Sequence, residues 1–88
     1  MPNVTVNVVG GTDTENLTAI SVGGKRWGED GASWGDSQSI PAGENISIGS
    51  YYTGDRSSSG TFTLEDHNVS IDITADGLGE TGIRIEYE

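Results

Sequence analysis

Apolar and polar residues alternate with a repeat of two along most of this chain. In residues 3–9, Val4, Val6 and Val8 fall on one face and polar side chains lie between them. Such alternation is typical of a strand with one buried face. It predicts strands over residues 3–9, 18–22, 39–40, 45–52, 61–64, 69–75 and 82–87. No stretch shows a convincing helical repeat, and the glycines between the runs oppose helix formation.

The segments between these runs are rich in turn-forming residues. Turns are predicted at 10–13, 23–24, 41–44, 65–68 and 76–79, and a polar loop at 54–60. Six or seven short strands at this spacing predict a single all-β domain over residues 1–88, a small antiparallel β-sandwich of immunoglobulin-like or jelly-roll type. A small β-barrel is the alternative.

The composition indicates a small hydrophobic core. Hydrophobic residues make up 32% of the 88 residues, and the chain has no cysteine. A domain of this size has limited apolar surface to bury, so small domains commonly gain stability from disulfides, metals or oligomerisation. Because disulfides and thiolate metal sites are excluded, we expect self-association, docking on a larger assembly, or bound ions.

The chain is strongly acidic, with a formal net charge of −10 and Lys25 as its single lysine. Direct binding to nucleic acid or to an anionic membrane surface is disfavoured, because both need clustered cations. Abundant Asp, Glu, Gly and Thr with scarce lysine resembles the composition of proteins from salt-loving microbes and their viruses. Concentrated salt screens the repulsion between carboxylates.

Residues 27–36 form the most unusual segment, because they contain both tryptophans among glycines and acidic residues. Indole rings anchor interfaces and stack on sugars, and carboxylates accept hydrogen bonds from hydroxyl groups. We therefore predict a binding site made by Trp27, Asp30, Trp34 and Asp36. The alternative is that one or both indoles cap an open end of the sandwich.

Residue patterns for catalysis are missing from the sequence. His67 is the single histidine and lies in a predicted turn, no Gly-x-Ser-x-Gly elbow is present, and no phosphate-binding loop occurs. We expect a non-enzymatic protein without a cofactor. The alternative for the acidic loops is bound Ca²⁺, although Asp and Gly also form ordinary turns. The candidate ligands are Asp13, Glu15, Glu29, Asp30, Asp36, Asp76 and Glu80.

These observations favour a structural or assembly module whose partner is a protein, either another copy or a larger particle. The specific expectation is a virion accessory protein, capsid-decorating or at a vertex, of a virus with a salt-loving host. One alternative is a carbohydrate-binding module that uses residues 27–36. Another is an acidic inhibitor, or DNA mimic, that occupies a basic groove. No signal peptide pattern is recognised at residues 1–5, so we expect synthesis in the cytoplasm and incorporation into a virion.

Overall fold

A computed structural model describes residues 1–76 and 80–88. The described residues form eight strands and one short 3₁₀ turn, and no helix among them is long and apolar enough to cross a lipid bilayer. The strands are β1 (Asn3–Gly10), β2 (Leu17–Val22), β3 (Lys25–Gly28), β4 (Ser37–Ser39), β5 (Gly43–Tyr52), β6 (Arg56–Leu64), β7 (Val69–Asp76) and β8 (Glu80–Tyr87). The 3₁₀ turn covers Thr14–Asn16 and leads into β2.

The strands form two four-stranded sheets, ordered β4-β1-β7-β8 and β3-β2-β5-β6. The small β-sandwich predicted from the alternation is therefore confirmed. One pairing departs from a purely antiparallel arrangement, because β1 and β7 run parallel. In addition, β1 and β2 belong to different sheets, whereas the first two strands of an immunoglobulin domain share one.

The core lies between the sheets and is filled by the inward faces of the alternating strands. Val4 and Val6 of β1 are fully buried, as are Ile71 and Ile73 of β7. The facing sheet contributes buried residues from each of its four strands, namely Ile20, Val22, Trp27, Ile48, Tyr52 and Leu64. The period of two thus places aliphatic residues of both sheets in one continuous core.

Two segments predicted as loops are strands. β3 begins directly after Gly23 and Gly24, whose φ angles of 56° and 86° close a two-residue turn between β2 and β3. β6 begins at Arg56, so most of the predicted polar loop at 54–60 belongs to a strand paired with β5. The alternation did not predict this part of the strand because residues 57–59 are all polar. Their strand conformation comes from pairing with β5 and not from an apolar pattern. The predicted turn at 76–79 lies largely outside the described residues.

Candidate functional site

Trp27 does not belong to a surface site. Its side chain is 0% exposed, and its indole Nε1 donates a hydrogen bond to the backbone oxygen of Asp36 at 2.8 Å. β3 places it there because Trp27 pairs with Ile20, whose side chain is also buried. The Trp27 side chain is therefore not accessible at the protein surface. The indole is part of the core, with its one polar atom satisfied internally.

The remainder of the 27–36 segment is ordered by backbone hydrogen bonds. The Gly28 nitrogen donates to the Ala32 oxygen at 2.7 Å, and the Ala32 nitrogen donates to the Arg26 oxygen at 2.9 Å. The Gly35 nitrogen donates to the Val6 oxygen of the opposite sheet at 2.7 Å. The segment therefore closes one side of the sandwich by connecting β3 of one sheet with β4 of the other.

Trp34, Asp30 and Asp36 lie on the surface of this connection. Trp34 is 37% exposed, and its ring packs so closely on Gly28 that an added Cβ there would lie 2.7 Å from Trp34 Cζ2. Both aspartates are exposed. Three of the four predicted binding residues are thus accessible, and their role in binding stays a prediction.

A second exposed aromatic residue, Tyr51 of β5, was missed in the sequence analysis. Tyr51 is 39% exposed, and the guanidinium carbon of Arg26 lies 5.1 Å from the centre of its ring. The Arg26 Nε also donates to the Glu29 oxygen at 2.9 Å. The signal was available in the alternation, because Ile46, Ile48 and Tyr52 share one face of the strand, so Tyr51 must lie on the opposite face.

A cleft of about 380 Å³ lies between β6 and β8, which end their respective sheets on the same side of the sandwich. The pairing of β5 with β6 explains it, because Gly60 lies opposite Ile48 and leaves that position without a side chain. A Cβ added at Gly60 would have no neighbour within 4 Å. Across the cleft, Ile83 of β8 is 43% exposed. The cleft is lined by Ile48, Ser50, Ser58, Ser59, Gly60, Thr61, Phe62, Thr81, Ile83 and Ile85.

Hydroxyl groups close one end of this cleft. Thr81 Oγ1 donates to Ser50 Oγ at 3.0 Å and also lies 2.8 Å from the Tyr52 hydroxyl. At the other end, the Tyr87 hydroxyl donates to the Thr63 oxygen at 3.1 Å and lies 3.1 Å from the Glu65 nitrogen, which donates to it. These hydrogen bonds link β8 to β5 at one end of the cleft and to β6 at the other, and the cleft opens between β6 and β8.

Two carboxylates of the predicted acidic loops, those of Asp13 and Asp76, make contacts within the protein. The buried carboxylate of Asp13 lies 3.2 Å from Arg56 Nη1 and accepts a hydrogen bond from Asn16, and the guanidinium of Arg56 lies over the ring of Tyr52. Asp76 accepts from the Thr12 nitrogen at 3.3 Å. Across residues 1–76 and 80–88, no group of three or more His, Asp or Glu side chains could hold a metal ion. The carboxylate of Glu80 lies outside what the structure describes.

His67 and Arg84 are placed as surface residues. His67 is exposed in the 65–68 connection, as predicted, and its ring packs edge-on to Tyr87 with the centroids 6.3 Å apart. Arg84 pairs with Glu86 at 2.7 Å on the outer side of β8. Neither side chain lines the cleft between β6 and β8.

No known protein family, characterised protein or solved structure matches this chain.

Proposed function

We propose that this protein is a non-enzymatic assembly module that binds a protein partner. The observation that supports this most is the cleft between the edge strands β6 and β8, with Ile83 exposed in it. Exposed aliphatic side chains next to unpaired strand backbone are typical of protein-binding surfaces. The partner is another copy of the chain or a larger particle.

The chemistry of the accessible residues supports binding more than catalysis. Among the residues that the structure describes, those lining the cleft are aliphatic, aromatic, glycine or hydroxyl-bearing, and none of them is ionisable. General acid–base catalysis needs a titrating group beside the reacting atoms. Surfaces made of such side chains supply shape and backbone hydrogen bonds instead.

The specific form that we propose is a virion accessory protein, capsid-decorating or at a vertex, of a virus with a salt-loving host. It is supported by the net charge of −10 and the single lysine. Concentrated salt reduces repulsion between such chains when many copies gather on one particle. The acidic surface would then face solvent, and the uncharged cleft would face the particle.

Sedimentation of the native material in molar salt tests this proposal. We expect the protein to sediment with a large particle that contains other proteins. Recovery of the chain only as a free species of 9.2 kDa would contradict it.

Carbohydrate binding is a second candidate, favoured by the exposed rings of Trp34 and Tyr51. Flat aromatic surfaces stack on sugar rings. Asp30 and Asp36 lie close to Trp34 along the chain, and their carboxylates would accept hydrogen bonds from sugar hydroxyl groups. A glycan array with Trp34→Ala and Tyr51→Ala variants tests it. Loss of a glycan signal in both variants is expected if this candidate is right. No signal, or one that both variants retain, would contradict it.

A further inference from the structure

We propose that an extended, basic segment of the partner protein adds as a strand to the free edge of β6 and inserts apolar side chains into the β6–β8 cleft. This inference rests on the proposed assembly function and names the surface and the chemistry of the partner. Three independent features of β6 and its surroundings carry it.

The first feature is the backbone of β6. β6 is 9 residues long and pairs with β5 on one side, and no strand among the described residues pairs with its other side. Residues 57–64 contain no proline and no ionisable residue. Natural edge strands usually carry charges, prolines or bulges that prevent further pairing. β6 lacks the first two between Ser57 and Leu64, so its edge is open to an added strand.

The second feature is the cleft beside that edge. A strand added to β6 directs alternate side chains toward the inner face of the sandwich. There they meet Ile83 and Ile85 of β8, and Phe62 of β6, in the space that Gly60 leaves empty. An incoming strand with apolar residues at every second position therefore covers Ile83, which is 43% exposed.

The third feature is the charge at the two ends of β6. Asp55 precedes the strand, Glu65 and Asp66 follow it, and all three are exposed. Arg56, the first residue of β6, is paired with Asp13, and Asp66 lies 3.9 Å from the N-terminal amine, so Asp55 and Glu65 are the carboxylates that an incoming segment would meet. Lysine or arginine residues at the two ends of the incoming segment would complement these carboxylates. A second copy of this chain would instead bring carboxylates toward these carboxylates. Antiparallel pairing of β6 with β6 centred on Gly60 would place Asp55 of each copy opposite Glu65 of the other. Because Arg56 is already paired with Asp13, like charges would meet at both ends.

A designed peptide tests the proposal with the intact protein. The probe is a synthetic peptide with alternating isoleucine and threonine and lysines at both ends. A second probe has glutamate at both ends. Binding is followed by the backbone amide signals in NMR. We expect the lysine peptide to shift the signals of β6 and β8 and to slow hydrogen exchange of β6 amides. The glutamate peptide should bind at least about tenfold more weakly at low salt.

Gly60→Val and Ser57→Val are the matched variants. Val at position 60 fills the cleft, and the position has no positive φ, so the variant is expected to fold and to bind the lysine peptide about tenfold more weakly. Val at position 57 lies on the same strand but outside the cleft lining, so affinity should change by less than about threefold. Far-UV circular dichroism and melting confirm that both variants are folded.

Four results would overturn the inference. They are no binding of the lysine peptide, equal binding of the two peptides, unchanged affinity in folded Gly60→Val, and dimerisation of the free protein through β6. The assembly proposal would survive any of these if the native protein still sediments with a larger particle. Conversely, if the lysine peptide binds but the native protein joins no assembly, the cleft binds a strand and the assembly proposal is wrong.

Discussion

At the residue scale, the two tryptophans have opposite environments although seven positions separate them. Trp27 is buried and hydrogen-bonded to the Asp36 backbone, whereas Trp34 is 37% exposed and packs on Gly28. Both are followed by glycine and then by an acidic residue, so local sequence does not distinguish them. The difference comes from the pairing of β3 with β2, which local sequence does not contain.

Replacement of each tryptophan by phenylalanine should separate these environments. Trp27→Phe removes the indole nitrogen that bonds the Asp36 oxygen and leaves unfilled space in the core. We expect a loss of about 1–3 kcal/mol in the free energy of unfolding. Trp34→Phe should change it by less than about 0.5 kcal/mol, because surface substitutions have small effects. Urea denaturation measures both, and equal losses would contradict the assigned positions.

Gly10 and Gly11 provide a second contrast between neighbours. A Cβ at Gly11 would lie 1.9 Å from the Ala75 oxygen, and its φ of 117° is unfavourable for other residues. A Cβ at Gly10 would meet nothing within 4 Å. Gly11→Ala should therefore destabilise the protein by more than about 1 kcal/mol, and Gly10→Ala by less than about 0.5 kcal/mol. Thermal melting of the two variants measures these losses. A larger loss for Gly10→Ala than for Gly11→Ala would contradict the close approach of Gly11 to Ala75.

At the element scale, the sequence was informative where one face of a strand is apolar and the other polar. β1, β5 and β7 were predicted within two residues at each end, because their valines and isoleucines alternate with polar residues. β6 was half missed, since residues 57–60 are serine and glycine and owe their conformation to β5. The parallel pairing of β1 with β7 and the cleft beside Gly60 depend on contacts between distant segments, and alternation reports only which face of a strand is buried.

The contact between Asp13 and Arg56 joins the residue that precedes the 3₁₀ turn to the first residue of β6. The Asp13 side chain is 9% exposed and that of Arg56 35%, while Arg84 and Glu86 are 77% and 50% exposed. Burial reduces solvent screening of an ion pair. Arg56→Gln removes the guanidinium from both Asp13 and the Tyr52 ring and should cost about 1–2 kcal/mol.

Arg84→Gln is the matched control for that variant. The Arg84–Glu86 pair is exposed, so its loss should cost less than about 0.5 kcal/mol. Chemical denaturation at two salt concentrations compares the variants. A cost for Arg84→Gln as large as that for Arg56→Gln would show that burial does not set the strength of these pairs.

At the scale of the whole molecule, the net charge of −10 makes stability depend on salt. Between about 0.1 M and about 1 M sodium chloride the screening length falls from about 10 Å to about 3 Å. The melting temperature should rise over this range, because repulsion among carboxylates is screened.

A variant with four exposed carboxylates neutralised should melt higher at low salt and respond less to added salt. The substitutions are Glu15→Gln, Glu44→Gln, Asp55→Asn and Glu65→Gln. A salt response identical to that of the unmodified protein would contradict this explanation.

The central claim is that this domain assembles with a protein partner through the β6–β8 edge. Hydrogen exchange along β6 is its most direct test. Backbone amides that face the free side of β6 should exchange fast in the isolated protein, because no described strand pairs with them. In the native particle those amides should exchange much more slowly, while exchange across β3 and β4 at the opposite side stays unchanged. Equal exchange of β6 in the free and the assembled protein would contradict the account.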